Sequence, residues 1–196
     1  MKLKILFLTA MCFVIFSCEV KDTLDALDEL EDIEMTEDEK ETTIVMTAKV
    51  NGNLIEIPYK NASLFIDKVI ETHRLRLIGV TETIFVIDNE AVSLFAYYGE
   101  EEDLKEGVEW DLSNLESGLT GMRGIYQAND KALNNALVNA TTDDTNTANI
   151  KINKLDYTNM VASGVFSFTA QTLVNGELQT YVISEGTFEN VKIVEQ

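Results

Sequence analysis

The feature that most constrains this chain is a two-residue hydrophobic alternation that recurs between Thr42 and Gln196. A period of two puts alternate side chains on opposite faces of an extended strand, whereas a helix needs a period of 3.6. The segment 164–170 shows it cleanly, with Phe166, Phe168 and Ala170 on one face. Asn51-Gly52 separates two such runs, 44–50 and 53–57, and Asn175-Gly176 separates 164–170 from 178–184. Asn-Gly is the favoured centre of a type I′ hairpin because both residues take positive φ. Pro58, the only proline, ends the second run. Further strands are predicted at 62–70, 73–80, 84–88, 92–98 and 108–112. Gly118, Gly121 and Gly124 predict an irregular connection. Leu133, Ala136 and Leu137 have helical spacing, but Asn134, Asn135 and Asn139 are poor helix formers. A hairpin of 136–141 with 148–155 is the preferred reading of that segment. Gly186 predicts a bulge, with strand resuming at 187–188 and 191–194. Nine to eleven short strands without a long helix predict an all-β domain over 42–196, an antiparallel sandwich or barrel.

Residues 1–17 have the parts of an export signal: Lys2 and Lys4, an apolar run from Ile5 to Phe16, and the small Ser17 before Cys18. That run spans about 18 Å as a helix, short of a hydrocarbon core of about 30 Å. It therefore predicts a cleaved signal helix rather than a membrane span. Ser17-Cys18 resembles the cleavage site of bacterial lipoproteins, although Phe16 stands where a small residue is usual. The resemblance implies cleavage between Ser17 and Cys18 and a covalent lipid on Cys18. An ordinary secretory signal that ends near a cysteine is the other reading. Cys12 lies inside the predicted signal, so the mature domain would hold no thiol and no disulfide.

Residues 18–41 follow as a predicted acidic tether. Glu19 to Glu41 carries 12 acids and two lysines, against a net charge of −19 for the whole chain. Self-repulsion favours an extended, solvated segment. Leu24, Leu27, Leu30 and Ile33 recur every third residue, so a helical stripe would rotate around the axis rather than form one docking face. Asp22-Thr23-Leu24 resembles the O-glycan acceptor of Bacteroidota envelope proteins, which makes Thr23 a candidate modification site. The acids after Cys18 also resemble a signal for display on the outer leaflet. Such acidity disfavours nucleic acid and anionic headgroups, which both need lysine and arginine.

Ala48-Lys49-Val50-Asn51-Gly52 near the domain start, the segment 162–170 and the segment 184–191 resemble a family of uncharacterised β-rich lipoproteins from Bacteroidota. The closing strands of that family run roughly G-x-F-x-F-x-A, an Asn-Gly hairpin, then G-x-F-x-N-V. The resemblance implies a β fold and an envelope location, and transfers no site.

Chemistry-bearing residues are few. His73 is the only histidine, and its alternation with Leu75 and Leu77 predicts a half-buried sheet position. One histidine and no free cysteine leave no ordinary zinc site, and no serine has a nucleophile-elbow context. Calcium is the best metal candidate, at Asp143, Asp144 and Asn146, with Asp88, Asn89 and Glu90 as a second loop. Neither has EF-hand spacing, and polar turn chemistry explains both. Trp110 and Tyr98 are candidate ligand-facing aromatics for a sugar platform, with core packing as the competing role for Trp110.

Together these features predict a lipoprotein of the outer membrane or cell surface whose β domain is a non-catalytic binding or accessory module. Its partners would be the membrane, through lipid, and a glycan or envelope protein. The alternatives are an assembly subunit of a surface complex, a carboxylate-based hydrolase, and a carrier of an apolar ligand.

Overall fold

A computed structural model describes residues 42–69, 71–81, 89–112, 119–130, 136–143 and 146–196. The predicted signal 1–17 with Ser17, the segment 18–41 with Cys18 and Thr23, and the predicted strand 84–88 lie outside these residues. The described residues form an all-β domain of eleven strands in one mixed sheet. In chain order they are β1 (Ile44–Val50), β2 (Asn53–Pro58), β3 (Ala62–Val69), β4 (Thr72–Val80), β5 (Glu90–Tyr98), β6 (Glu109–Asp111), β7 (Leu119–Asp130), β8 (Ala136–Thr141), β9 (Ala148–Asp156), β10 (Val161–Val174) and β11 (Glu177–Glu195). Both Asn-Gly pairs turn as their chemistry requires: Asn51 and Gly52 have φ of 49° and 86°, Asn175 and Gly176 of 53° and 86°.

The strands pair in the order β2-β1-β11-β3-β4-β5-β7-β8-β10-β9-β6, and β11 also pairs β10. That extra pairing closes a ring through β3, β4, β5, β7, β8, β10 and β11. Two layers result, β2-β1-β11-β10-β9-β6 and β3-β4-β5-β7-β8, joined where β11 meets β3 and where β10 meets β8. Side chains from the two layers meet in between. Trp110 of β6 stacks on Tyr98 of β5 at 5.0 Å, and Tyr181 of β11 contacts Tyr126 of β7 at 4.9 Å. The domain is thus a flattened barrel, in which the predicted sandwich and barrel coincide.

Two expectations are corrected in the pairing. The first is the hairpin of 136–141 with 148–155: β8 pairs with β7 and β10, whereas β9 pairs with β10 and β6, so the two strands are not partners. Nor is the sheet wholly antiparallel, because β11 runs parallel to β3 from Lys192↔Ser63 to Glu195↔Ile66. The cause is the length of β11. At 19 residues it outruns its antiparallel partner β1 and continues alongside β3.

The inward side chains of β11 explain why the sequence reads as broken there. Tyr181 and Ile183, then Gly186 and Phe188, then Val191 and Ile193 are buried, so the alternation skips one residue twice. At each skip the register against β10 gains a residue on β11, and Glu185 and Asn190 adopt φ of 51° and 52°. These are β-bulges, and each resets which parity faces the core. Lys49 Nζ pairs with Glu185 at 2.7 Å, and the Asn190 N–H donates to Ser163 Oγ at 3.0 Å. The bulge predicted at Gly186 is present, and a second at Asn190 keeps the whole of β11 one strand.

Glycine faces phenylalanine around those bulges. Gly164 of β10 pairs Phe188 of β11, and Phe166 of β10 pairs Gly186 of β11. A Cβ on Gly164 would meet the Phe188 ring at 2.5 Å, and one on Gly186 would meet the Phe166 ring at 2.7 Å. Each ring lies over the bare backbone of its partner and shields it, as cross-strand aromatics do beside glycine. Across the core, Gly124 of β7 receives Phe168, and Gly79 of β4 receives Met46 and Ile57. This corrects the predicted irregular connection around Gly121 and Gly124: it is the twelve-residue β7. Glycine there makes room for Phe168 rather than marking a loop.

Asp156 organises the β9–β10 turn. Its Oδ1 accepts from the N–H groups of Thr158 and Asn159 at 3.1 and 3.0 Å, and its Oδ2 accepts from Asn159 Nδ2 at 2.9 Å. The Asn159 bonds, with Lys154 nearby, lower its pKa from 3.8 to about 2.

Two predictions follow from packing and turn. Gly124→Ala overpacks the Phe168 site and costs about 1–3 kcal/mol by urea unfolding. Because Phe168→Leu opens the same space, the double variant is less destabilised than the two single losses combined. Since the folded pKa of Asp156 is depressed, its contribution is complete above about pH 4 and lost as pH falls towards 2. Asp156→Ala therefore lowers the thermal midpoint at neutral pH and has little effect at pH 2.

Candidate functional site

A recess of about 260 Å³ opens where β3, β4, β5 and β11 end, and Asp67, Lys68, His73, Tyr98, Tyr157 and Glu195 are among its lining residues. Its position follows from hairpin register. With Val69 paired to Thr72, Asp67 falls opposite Arg74, and His73 falls opposite Tyr98 of β5. The turn after β5 adds Glu101 and Leu104, and the β9–β10 turn adds Tyr157.

Asp67 is buried, at 5% exposure. Its Oδ2 accepts from Arg74 Nε at 2.8 Å and from Arg74 Nη2, which raises the guanidinium above its ordinary pKa. The ion pair explains how a carboxylate persists at a buried position of the sheet. It satisfies one oxygen only, and Asp67 Oδ1 is buried without a hydrogen-bond partner.

Tyr98 is the centre of an aromatic stack. His73 lies at 5.5 Å on one side and Trp110 at 5.0 Å on the other, with interplanar angles of 20° and 22°. His73 Nδ1 is 3.2 Å from the Gly99 carbonyl oxygen, which fixes the imidazole. The Tyr98 hydroxyl and Trp110 Nε1 are buried without partners. Burial pushes the Tyr98 phenol well above its ordinary pKa, helped by Tyr157, Glu101 and Asp103. Tyr157 is raised too, by burial and by Glu195 and Glu101.

The recess thus combines an arginine-paired acid with one spare oxygen and a neutral phenol with a spare hydroxyl. Buried polar groups are almost always satisfied, so an unpartnered oxygen on each of two residues that line one recess marks a place for incoming polar groups. Asp67 offers an acceptor and Tyr98 a donor–acceptor, which suits hydroxyl groups.

The residues singled out from sequence are dispersed. Trp110 is fully buried and cannot serve as an exposed sugar platform; it packs in the core. The Tyr98 ring is equally buried, although the residue lines the recess. His73 takes a half-buried sheet position. Asp143 Oδ1 accepts from Asn146 Nδ2 at 2.7 Å within a turn, whereas Asp144 and Asp88 lie outside the described residues. No group of three acids, histidines or cysteines placed to hold a metal occurs among the described residues. Sequence reasoning missed Asp67 and Arg74. The signal was an acid and an arginine at equal distances from a short hairpin turn.

No protein family, curated protein or solved structure matches the chain.

Tyr98→Phe tests whether the hydroxyl is empty-handed in the free protein. Losing an unsatisfied buried group raises stability by about 1 kcal/mol in urea unfolding. Tyrosine in the unfolded chain ionises near 10 while Tyr98 in the fold resists, so wild-type stability falls as pH rises above 10. The phenylalanine variant loses Tyr98's share of that alkaline slope.

Proposed function

We propose that this protein is a lipid-anchored envelope lipoprotein whose β domain is a non-catalytic binding module, with the Asp67–Tyr98 recess as its ligand site. The observation that carries the binding reading is that two residues lining one recess, Asp67 and Tyr98, each hold a buried oxygen without a partner. The ligand class that fits is a neutral polyol, such as the exposed end of a glycan, whose hydroxyls would donate to Asp67 Oδ1 and bond the Tyr98 hydroxyl. The Arg74 pairing holds Asp67 in place, so the acid is a fixed acceptor. Anchoring rests on Lys2, Lys4, the apolar run to Phe16 and Ser17-Cys18. The resemblance to Bacteroidota lipoproteins at 48–52, 162–170 and 184–191 agrees with an outer-membrane, surface-displayed location.

A second reading, an assembly subunit, draws on the β10–β11 hairpin tip. Leu173 and Leu178 pair there across the strands and are 70% and 60% exposed, an apolar pair of the kind that contacts other proteins.

Trp110 is the only tryptophan and stacks on Tyr98, so its fluorescence reports on the recess. Titration of the purified chain with neutral oligosaccharides is expected to shift Trp110 emission in the wild type and not in Tyr98→Phe. No shift with any neutral saccharide overturns the ligand assignment. Independently, the N-terminal peptide from cells is expected to carry acyl chains on Cys18, and Cys18→Ala to release the protein from membranes. An unmodified Cys18 overturns the anchor.

A further inference from the structure

All three arginines of the chain, Arg74, Arg76 and Arg123, lie on the outer face of one layer. The register aligns them in two neighbouring rows across β3, β4, β5 and β7. One row reads Phe65, Arg76, Phe95, Arg123, and the next reads Asp67, Arg74, Tyr97, Gly121. In these strands Leu64, Leu75, Leu77, Leu94, Ala96 and Met122 point inward and are buried. The alternate positions, which carry the arginines and aromatics, therefore face outward.

Within the first row, Arg76 Cζ lies 4.5 Å from the Phe65 ring centroid. This cation–π contact holds the guanidinium flat against the sheet. Arg76 Nε is buried without an acceptor. Arg123 is exposed, and among the described residues neither arginine forms an ion pair. Arg74, in the neighbouring row, is already committed to Asp67.

We propose that this face is a second binding surface, for an acidic polysaccharide whose carboxylates pair with Arg76 and Arg123 while its sugar rings rest on Phe95. Three observations favour that occupant. Guanidinium forks match carboxylates bidentately and stack on aromatics, which lysines do not. Arg76 and Arg123 are two strands apart, about 10 Å, the span of a disaccharide unit rather than of a single small anion. β4 and β5 are paired on both sides, so an acidic peptide has no backbone edge to add to as a strand. With a net charge of −19 the chain repels polyanions at long range. Attraction is therefore local, and nucleic acid, which relies on an extended basic track, is disfavoured.

The test is affinity electrophoresis of the full chain through gels containing polygalacturonate, its methyl-esterified neutral counterpart, polyglutamate or single-stranded DNA. Retardation is expected in polygalacturonate alone and is expected to weaken with salt. Arg123→Gln, at an exposed position, should weaken it about tenfold without changing the thermal midpoint. Phe95→Ala should weaken it as well, whereas Lys192→Gln on β11 should leave it unchanged. Equal retardation by polyglutamate would make the face a charge-only or peptide site and overturn the proposal. Stronger retardation by DNA, equal retardation by the neutral ester, or none at all would also overturn it. Any of these results leaves the Asp67–Tyr98 recess, tested by Trp110 emission, unaffected.

Discussion

The fold depends on a reciprocal exchange of glycine and phenylalanine between its two longest strands. Gly164 accepts the Phe188 ring and Gly186 accepts the Phe166 ring, so β10 and β11 each present one gap and fill the other's. Full burial of a phenylalanine is worth about 1.5–3 kcal/mol, and the glycines allow that burial where the layers converge. A side chain at either glycine would collide with a backbone carbonyl of the neighbouring strand, Lys151 at Gly164 and Phe166 at Gly186, as well as with the ring. The two bulges lie on either side of the Gly186–Phe188 segment. They turn a 19-residue strand that would otherwise run out of phase with the core into one that faces it along most of its length.

This exchange also gives a physical reason for a sequence pattern. The run from Gly164 to Ala170, the Asn-Gly turn and the run from Gly186 to Val191 form one hairpin whose glycines and phenylalanines are complementary. Packing alone accounts for that pattern.

Much of the fold was legible because it is local. Asn51-Gly52 and Asn175-Gly176 named their turns, and alternation over 62–69, 73–80 and 92–98 named strands whose neighbours are adjacent in the chain. What was not legible depended on distant partners. Gly121 and Gly124 read as a loop because the residue that justifies Gly124, Phe168, is remote in sequence. The parallel β11–β3 pairing joins opposite ends of the domain, and no local pattern announces it. The recess was less legible still. Tyr98 was named for its ring, yet its hydroxyl carries the interest. Asp67 gained meaning only when hairpin register set it against Arg74. The arginine row shows the same limit, because its four residues come from four strands and become neighbours only in the sheet.

The position of β11 in the chain has a consequence for biogenesis. This last strand pairs β1, β3 and β10, so it occupies the middle of the architecture. A chain emerging from its N-terminus can form the early hairpins, but the ring stays open and its apolar faces stay wet until the final strand arrives. Folding is then governed by contacts of long sequence separation, which are slow to form. Loss of its last dozen residues would unmake the centre of the domain rather than trim its edge.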